Sequence, residues 1–168
     1  MILKIAFLAV TLVASFALAA SPEPHMAIKT FNELAQPLPL PYDEQADAGK
    51  LIAAAKARAK ASGKLLVIDL GGNWCPDCRV LAGTMAQPEL RAYVEKHFEL
   101  VMINIGRYDK NMNVPAHYGL GRPKGVPSLL MIDPKTDVLI NKGHTEALAD
   151  ARYMSPQALA DWLASWAR

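Results

Sequence analysis

Residues 65–78 read LLVIDLGGNWCPDC, a compact apolar run with one carboxylate inside it, a glycine pair, and two cysteines set two residues apart. Leu65 to Leu70 is bounded by Gly63 before it and Gly71-Gly72 after it, which predicts a strand buried on both faces. The cysteines follow that strand directly. Pro76 stands where a first helical turn tolerates a residue without an N–H, and Val80, Leu81, Thr84 and Met85 continue a helical face. A strand that delivers two cysteines to the start of a helix is the plan from which the rest of the chain is read.

These are the chain's two cysteines. A structural disulfide usually closes a long loop, because the entropy removed from the unfolded chain grows with loop length, and a two-residue spacer gains little. The pair is better placed for exchange. A thiolate attacks a disulfide, so a redox site needs one exposed cysteine with a lowered pKa and a second within reach to resolve the mixed disulfide. With the helix starting near Pro76, its free N–H groups and positive dipole end favour the Cys75 anion, and Cys78 lies one turn inside. Cys75 is expected as nucleophile and Cys78 as resolving thiol.

Two acidic neighbours bear on this chemistry. Asp77, beside the attacking sulfur, repels a thiolate and should raise the Cys75 pKa, giving a less oxidising couple; alternatively it caps the helix. Asp69, inside an apolar strand, is costly to bury as an anion, so it titrates high and could accept the Cys78 proton as a general base; alternatively strand alternation brings it to solvent or to a local hydrogen bond. Metal chemistry finds little support. A zinc site needs four ligands, whereas His25, His97, His117 and His144 are dispersed. A Cys–His copper carrier would need the fold to bring His117 or His144 to the cysteines. No metal and no cofactor is expected.

Outward from the motif, residues 47–62 form an Ala- and Lys-rich helix, with Leu51, Ile52, Ala55 and Ala59 on one face and Gly63 as its stop. Pro88 interrupts the helix after the cysteines, and Leu90 to Phe98 resumes it. Leu100 to Ile105 is a second buried strand, which invites a parallel right-handed crossover. Residues 106–125 form a long connection with a helical turn around Val114 to Tyr118. Ser128 to Ile132 and Val138 to Ile140 read as a hairpin around Asp133, Pro134 and Asp137. Beyond the loop at 142–154, Ser155-Pro156 opens a last helix with Leu159, Trp162, Leu163 and Trp166 as its apolar stripe.

At the other end, residues 1–19 read as a signal peptide, with Lys4 as the positive region, Ile5 to Phe16 apolar, and Ala17-Leu18-Ala19 as the cleavage region. A retained anchor is the competing reading, since the apolar run nears the roughly 17 residues that span a bilayer. Residues 20–44 hold Pro22, Pro24, Pro37, Pro39 and Pro41 without an apolar period and read as a Pro-rich linker, leaving 45–168 as one domain. The net charge of +2 comes from scattered Lys and Arg, which offers no footprint for nucleic acid.

The run Asp69-Leu70-Gly71-Gly72-Asn73-Trp74-Cys75-Pro76-Asp77-Cys78 resembles the thioredoxin superfamily, in which a buried Asp lies six residues before the first cysteine of a Trp-Cys-x-x-Cys motif. Gly125-Val126-Pro127-Ser128 is similar to the family's cis-proline element, which faces the cysteines and offers backbone pairing to substrate. The resemblance covers residues 45–167 and is nearest to a secreted bacterial subgroup that includes the soluble thioredoxin-like domain of the periplasmic electron transporter. It implies an α/β, three-layer fold with a central mixed sheet flanked by helices. It implies Cys75, Cys78 and Asp69 as catalytic residues, with Trp74, Pro76, Asp77, Val126 and Pro127 tuning the site or binding substrate. Gly71 departs from thioredoxin's second aromatic, which suggests a different substrate surface, and Met102 stands in place of a lysine near the buried Asp.

The expected function is an extracytoplasmic, periplasmic protein-disulfide reductase, monomeric, acting on protein disulfides and reduced by a membrane-embedded reductase. The alternative is a thioredoxin-fold module that binds copper or a partner without exchange.

Overall fold

In the structure, a computed structural model, residues 23–167 are described. The expected signal peptide lies outside them. Among the described residues, no helix is long and apolar enough to cross a membrane.

Strand β1 (Leu65–Gly71) is buried along its whole length and occupies the interior of a four-stranded mixed sheet. It pairs in parallel with β2 (Phe98–Asn104) and antiparallel with β3 (Ser128–Asp133), which in turn carries the short edge strand β4 (Val138–Leu139). Between β1 and β2 run α2 (Pro76–Met85) and α3 (Pro88–His97), broken at Gln87 because Pro88 starts a new first turn. Helix α1 (Ala48–Ser62) is capped by Asp47, whose carboxylate accepts from the Lys50 N–H at 3.0 Å, and ends at Gly63 with φ of 73°. A short α4 (Asn113–His117) lies in the long connection, and α5 (Pro156–Ala164) opens on Ser155, whose hydroxyl accepts from the Ala158 N–H.

Strand alternation separates two cores. Leu65, Val67, Leu129 and Met131 join Leu81, Met85, Leu90, Leu159 and Leu163 in one. Leu66, Ile68, Leu130 and Ile132 join Ala55, Ala59 and Val114 in the other. The three-layer α/β arrangement is therefore realised, with the cysteines at the carboxyl end of β1.

The Pro-rich lead-in differs from the linker expected for residues 20–44. From residue 23 onward it lies as a strap on the domain, with Met26, Leu34 and Tyr42 buried at 2%, 3% and 2% exposure. Its backbone is held by side chains of the domain. Gln157 accepts from the Met26 N–H and donates to the Pro24 carbonyl, and Arg79 donates to the carbonyls of Leu38 and Pro39. Gly83 on α2 permits this seating, because a Cβ there would stand 3.2 Å from Leu38 and 3.4 Å from Leu34. Proline suits such a segment, since it fixes φ and leaves no N–H to satisfy.

Candidate active site

Four stretches converge where β1 gives way to α2: the strap, the cysteine motif, the cis-proline turn and the loop before α5. The chain leaves the strand through Gly71 and Gly72, turns with the Cys75 N–H donating to the Gly72 carbonyl at 3.0 Å, and enters α2 with Cys75 as its N-cap and Pro76 in the first turn. The Cys75 sulfur takes the acceptor role that serine or aspartate usually fills, receiving the Cys78 N–H at 3.2 Å. Its thiol also points to the Val126 carbonyl at 3.4 Å, across from the cis Val126–Pro127 peptide bond. Both cysteines are free thiols, and Cys75, expected to be exposed, is buried like Cys78, at 3% and 0% exposure, because its sulfur is turned onto the helix N-terminus and the Val126 carbonyl.

Their electrostatics diverge. The Cys78 thiol and backbone N–H, opposed by burial, hold the Cys75 pKa below its ordinary value. The same thiol contact, followed by burial and the Asp69 charge, pushes Cys78 strongly up. One sulfur is prepared as a thiolate and the other as a thiol that donates to it.

Asp69 is fully buried, which rules out the solvent-facing alternative. Burial pushes its pKa up to about 7, moderated by the Tyr42 hydroxyl, which donates to its Oδ1 at 3.0 Å. Asp69 Oδ2 has no hydrogen-bond partner among the described residues. Met102, the β2 register partner of Asp69, brings no charge.

The Asp77 charge pushes the Cys75 pKa up, in the direction expected, while Cys75 and not Asp77 caps α2. Asp77 is 6% exposed, and its carboxylate accepts from the Arg152 backbone N–H at 2.8 Å and from Arg152 Nε at 3.1 Å. The Arg152 guanidinium, which interacts with both the Asp77 and the Cys75 charge, opposes that repulsion, so Asp77 alone does not set the poise of the pair.

Trp74, 38% exposed, donates from its indole N–H to the Gly106 carbonyl at 2.6 Å, with the Arg107 guanidinium 4.7 Å over its ring. Tyr108 lies 6.0 Å from that ring, and Arg122 lies 4.9 Å over Tyr108. Loop 106–125 therefore forms a basic, aromatic rim beside Cys75. Gly71 has a different explanation from an altered substrate surface. It is buried, and a Cβ there would stand 2.3 Å from the Tyr42 hydroxyl and 2.8 Å from Cys78 Sγ, so its smallness admits Tyr42.

All eight residues singled out from the sequence, Asp69, Trp74, Cys75, Pro76, Asp77, Cys78, Val126 and Pro127, gather here. The histidines do not. His117 bonds Asp137 at 3.1 Å and the His144 ring lies 6.0 Å from Trp166, which removes the basis for a Cys–His copper pair. Tyr42 and Arg152 also belong to the site, and both lie far from the motif in sequence with no spacing to signal them.

A family model described as thioredoxin-like matches residues 47–134. No curated protein is matched by the chain. Among solved structures, the chain is similar to the disulphide isomerase from Xylella fastidiosa Temecula1, at 35% identity over 76% of this chain and 97% of that one, with a TM-score of 0.70. The oxidised and reduced DsbD c-terminal domain from Neisseria meningitidis are more distant. They share 26% and 25% identity, each over 54% of this chain and 77% of that one, with TM-scores of 0.41 and 0.42. Family model, fold and relative agree that the chain belongs to the thioredoxin-like family.

Proposed function

We propose that the protein is an extracytoplasmic protein-disulfide reductase working through the Cys75-Pro76-Asp77-Cys78 dithiol. The broader class, thiol:disulfide oxidoreductase, follows from the family. The observation that supports exchange through this pair, in either direction, is the division of labour between the sulfurs, Cys75 an N-cap with a lowered pKa and Cys78 buried with a raised one.

Cys75 thiolate attacks a protein disulfide, forming a mixed disulfide and releasing one substrate sulfur as thiolate. Cys78 loses its proton and attacks Cys75 Sγ, forming the Cys75–Cys78 disulfide and releasing the second substrate sulfur. The enzyme is oxidised by two electrons and the substrate reduced by two. A membrane-embedded reductase then restores the dithiol, and export by the N-terminal segment places the monomer with that donor. The Val126 carbonyl at the cis-proline turn and the Trp74 rim supply a backbone edge and a basic, aromatic surface for the substrate chain.

Cys78→Ala in the native compartment is expected to accumulate mixed disulfides with partner proteins, reversed by dithiothreitol, and Cys75→Ala to form none and to lose insulin reduction. Insulin reduction surviving the loss of Cys75 would reject the mechanism.

A further inference from the structure

Tyr42 belongs to the strap, outside the thioredoxin-like segment matched at residues 47–134, yet its side chain ends inside the redox site. The phenol is 2% exposed and donates to Asp69 Oδ1 at 3.0 Å. Its oxygen and Cys78 Sγ lie 2.3 Å and 2.8 Å from the same point, the position a Gly71 Cβ would take, so hydroxyl and thiol share one pocket. The strap is fastened at this place by a reciprocal pair: the Tyr42 N–H donates to Asn73 Oδ1 at 3.1 Å, and Asn73 Nδ2 donates to the Tyr42 carbonyl at 2.8 Å. Asn73 lies two residues before Cys75, so strap and cysteine loop are held as one unit.

We infer that Tyr42 is a positioning residue for the resolving step, holding the Asp69 carboxylate ionised and oriented as acceptor of the Cys78 proton. The inference rests on the exchange chemistry proposed above. As Cys78 attacks Cys75 Sγ, its S–H proton passes to Asp69, the Cys75–Cys78 bond forms, and the bond from Cys75 to the substrate sulfur breaks with the electron pair leaving on that sulfur. The acceptor must be anionic beforehand. A carboxylate buried without a cation is kept so only by hydrogen bonds.

The groups facing Asp69 are few. The strap presents Tyr42, and α2 presents Cys78, itself bonded to Cys75. The register partners on the flanking strands, Met102 on β2 and Leu129 on β3, do not titrate. Burial, then the Asp69 and Cys78 charges, push the Tyr42 phenol far above its ordinary value, so it stays a donor and does not compete for the proton. Its bond pulls the Asp69 pKa down against burial. Asp69 Oδ2, without a partner among the described residues, is left to receive.

The test uses the reduced full-length protein and an aromatic disulfide that releases a coloured thiol, 5,5′-dithiobis(2-nitrobenzoate). Attack by Cys75 releases one equivalent and resolution by Cys78 a second, so one stopped-flow trace reports both steps. Tyr42→Phe keeps the ring and removes the donor. It is expected to leave the first burst unchanged, to slow the second about tenfold at pH 7, and to move its acid limb up by on the order of one pH unit. On an Asp69→Asn background, Tyr42→Phe is expected to add nothing. A second phase of Tyr42→Phe that superimposes on wild type across pH, or a slowing that persists undiminished on Asp69→Asn, would overturn the inference while leaving exchange intact. No first burst in the wild-type protein would overturn the exchange reading and this inference with it.

Discussion

Cys75 and Cys78 carry the same side chain in unlike surroundings, and their chemistry follows from that difference. Cys75 meets the N-terminus of α2 and the thiol of its partner, while Cys78 meets Asp69, Tyr42 and the buried face of the helix. The spacing of the motif makes these roles legible before any coordinates, because a helix opening at Pro76 can solvate one sulfur only. The influence of Asp77 was not legible in the same way. Its pairing with Arg152 depends on a turn at residues 151–153 that no local pattern brings to α2. The pair predicts opposite responses. Asp77→Asn leaves the guanidinium beside the thiolate and should raise the reduction potential by about 10–30 mV, whereas Arg152→Ala leaves the carboxylate unpaired and should lower it by a similar amount. Equilibration with glutathione measures both, and shifts of the same sign would refute the compensation.

Among the elements, those with a strong period or unambiguous punctuation appear where the sequence puts them. Asp47 and Gly63 bracket α1, Ser155-Pro156 opens α5, and the apolar run before the cysteines is β1. The strap is the exception. Its buried residues Met26, Leu34 and Tyr42 are too sparse to form a helical or strand period, and its prolines read equally well as a free linker. What distinguishes it is tertiary: the domain's Arg79, Asn73 and Gln157 satisfy its backbone. Leu34, wedged against Gly83 of α2, reports on this directly. Leu34→Ala should lower the unfolding free energy by about 2–4 kcal/mol in urea titration, as a core truncation does. A free linker would give less than about 0.5 kcal/mol. The long connection after β2 is likewise pinned, with Asp137 accepting from Lys56, Tyr118 and His117 and so tying α4 to α1 and the β3–β4 turn.

For the molecule as a whole, the fold follows from one buried strand with two cores against its faces, and this much is written in residues 65–105. The site is less local. It takes Tyr42 from the strap, residues 69–78 from the motif, Val126 from the cis-proline turn and Arg152 from the last loop, four stretches that only the completed fold assembles. The family relation accounts for the middle two, while the outer two adapt this chain. The central claim is that this assembly makes Cys75 an exchanging thiolate and holds Cys78 in reserve. Alkylation of the reduced protein by iodoacetamide across pH, read by peptide mass spectrometry, tests it most directly. A lowered pKa means that the thiolate survives to lower pH, so Cys75 should label with a midpoint below the ordinary cysteine value of about 8.5, while Cys78 stays unmodified in the folded protein. Equal labelling of the two sulfurs, or a Cys75 midpoint at or above that value, would contradict the account.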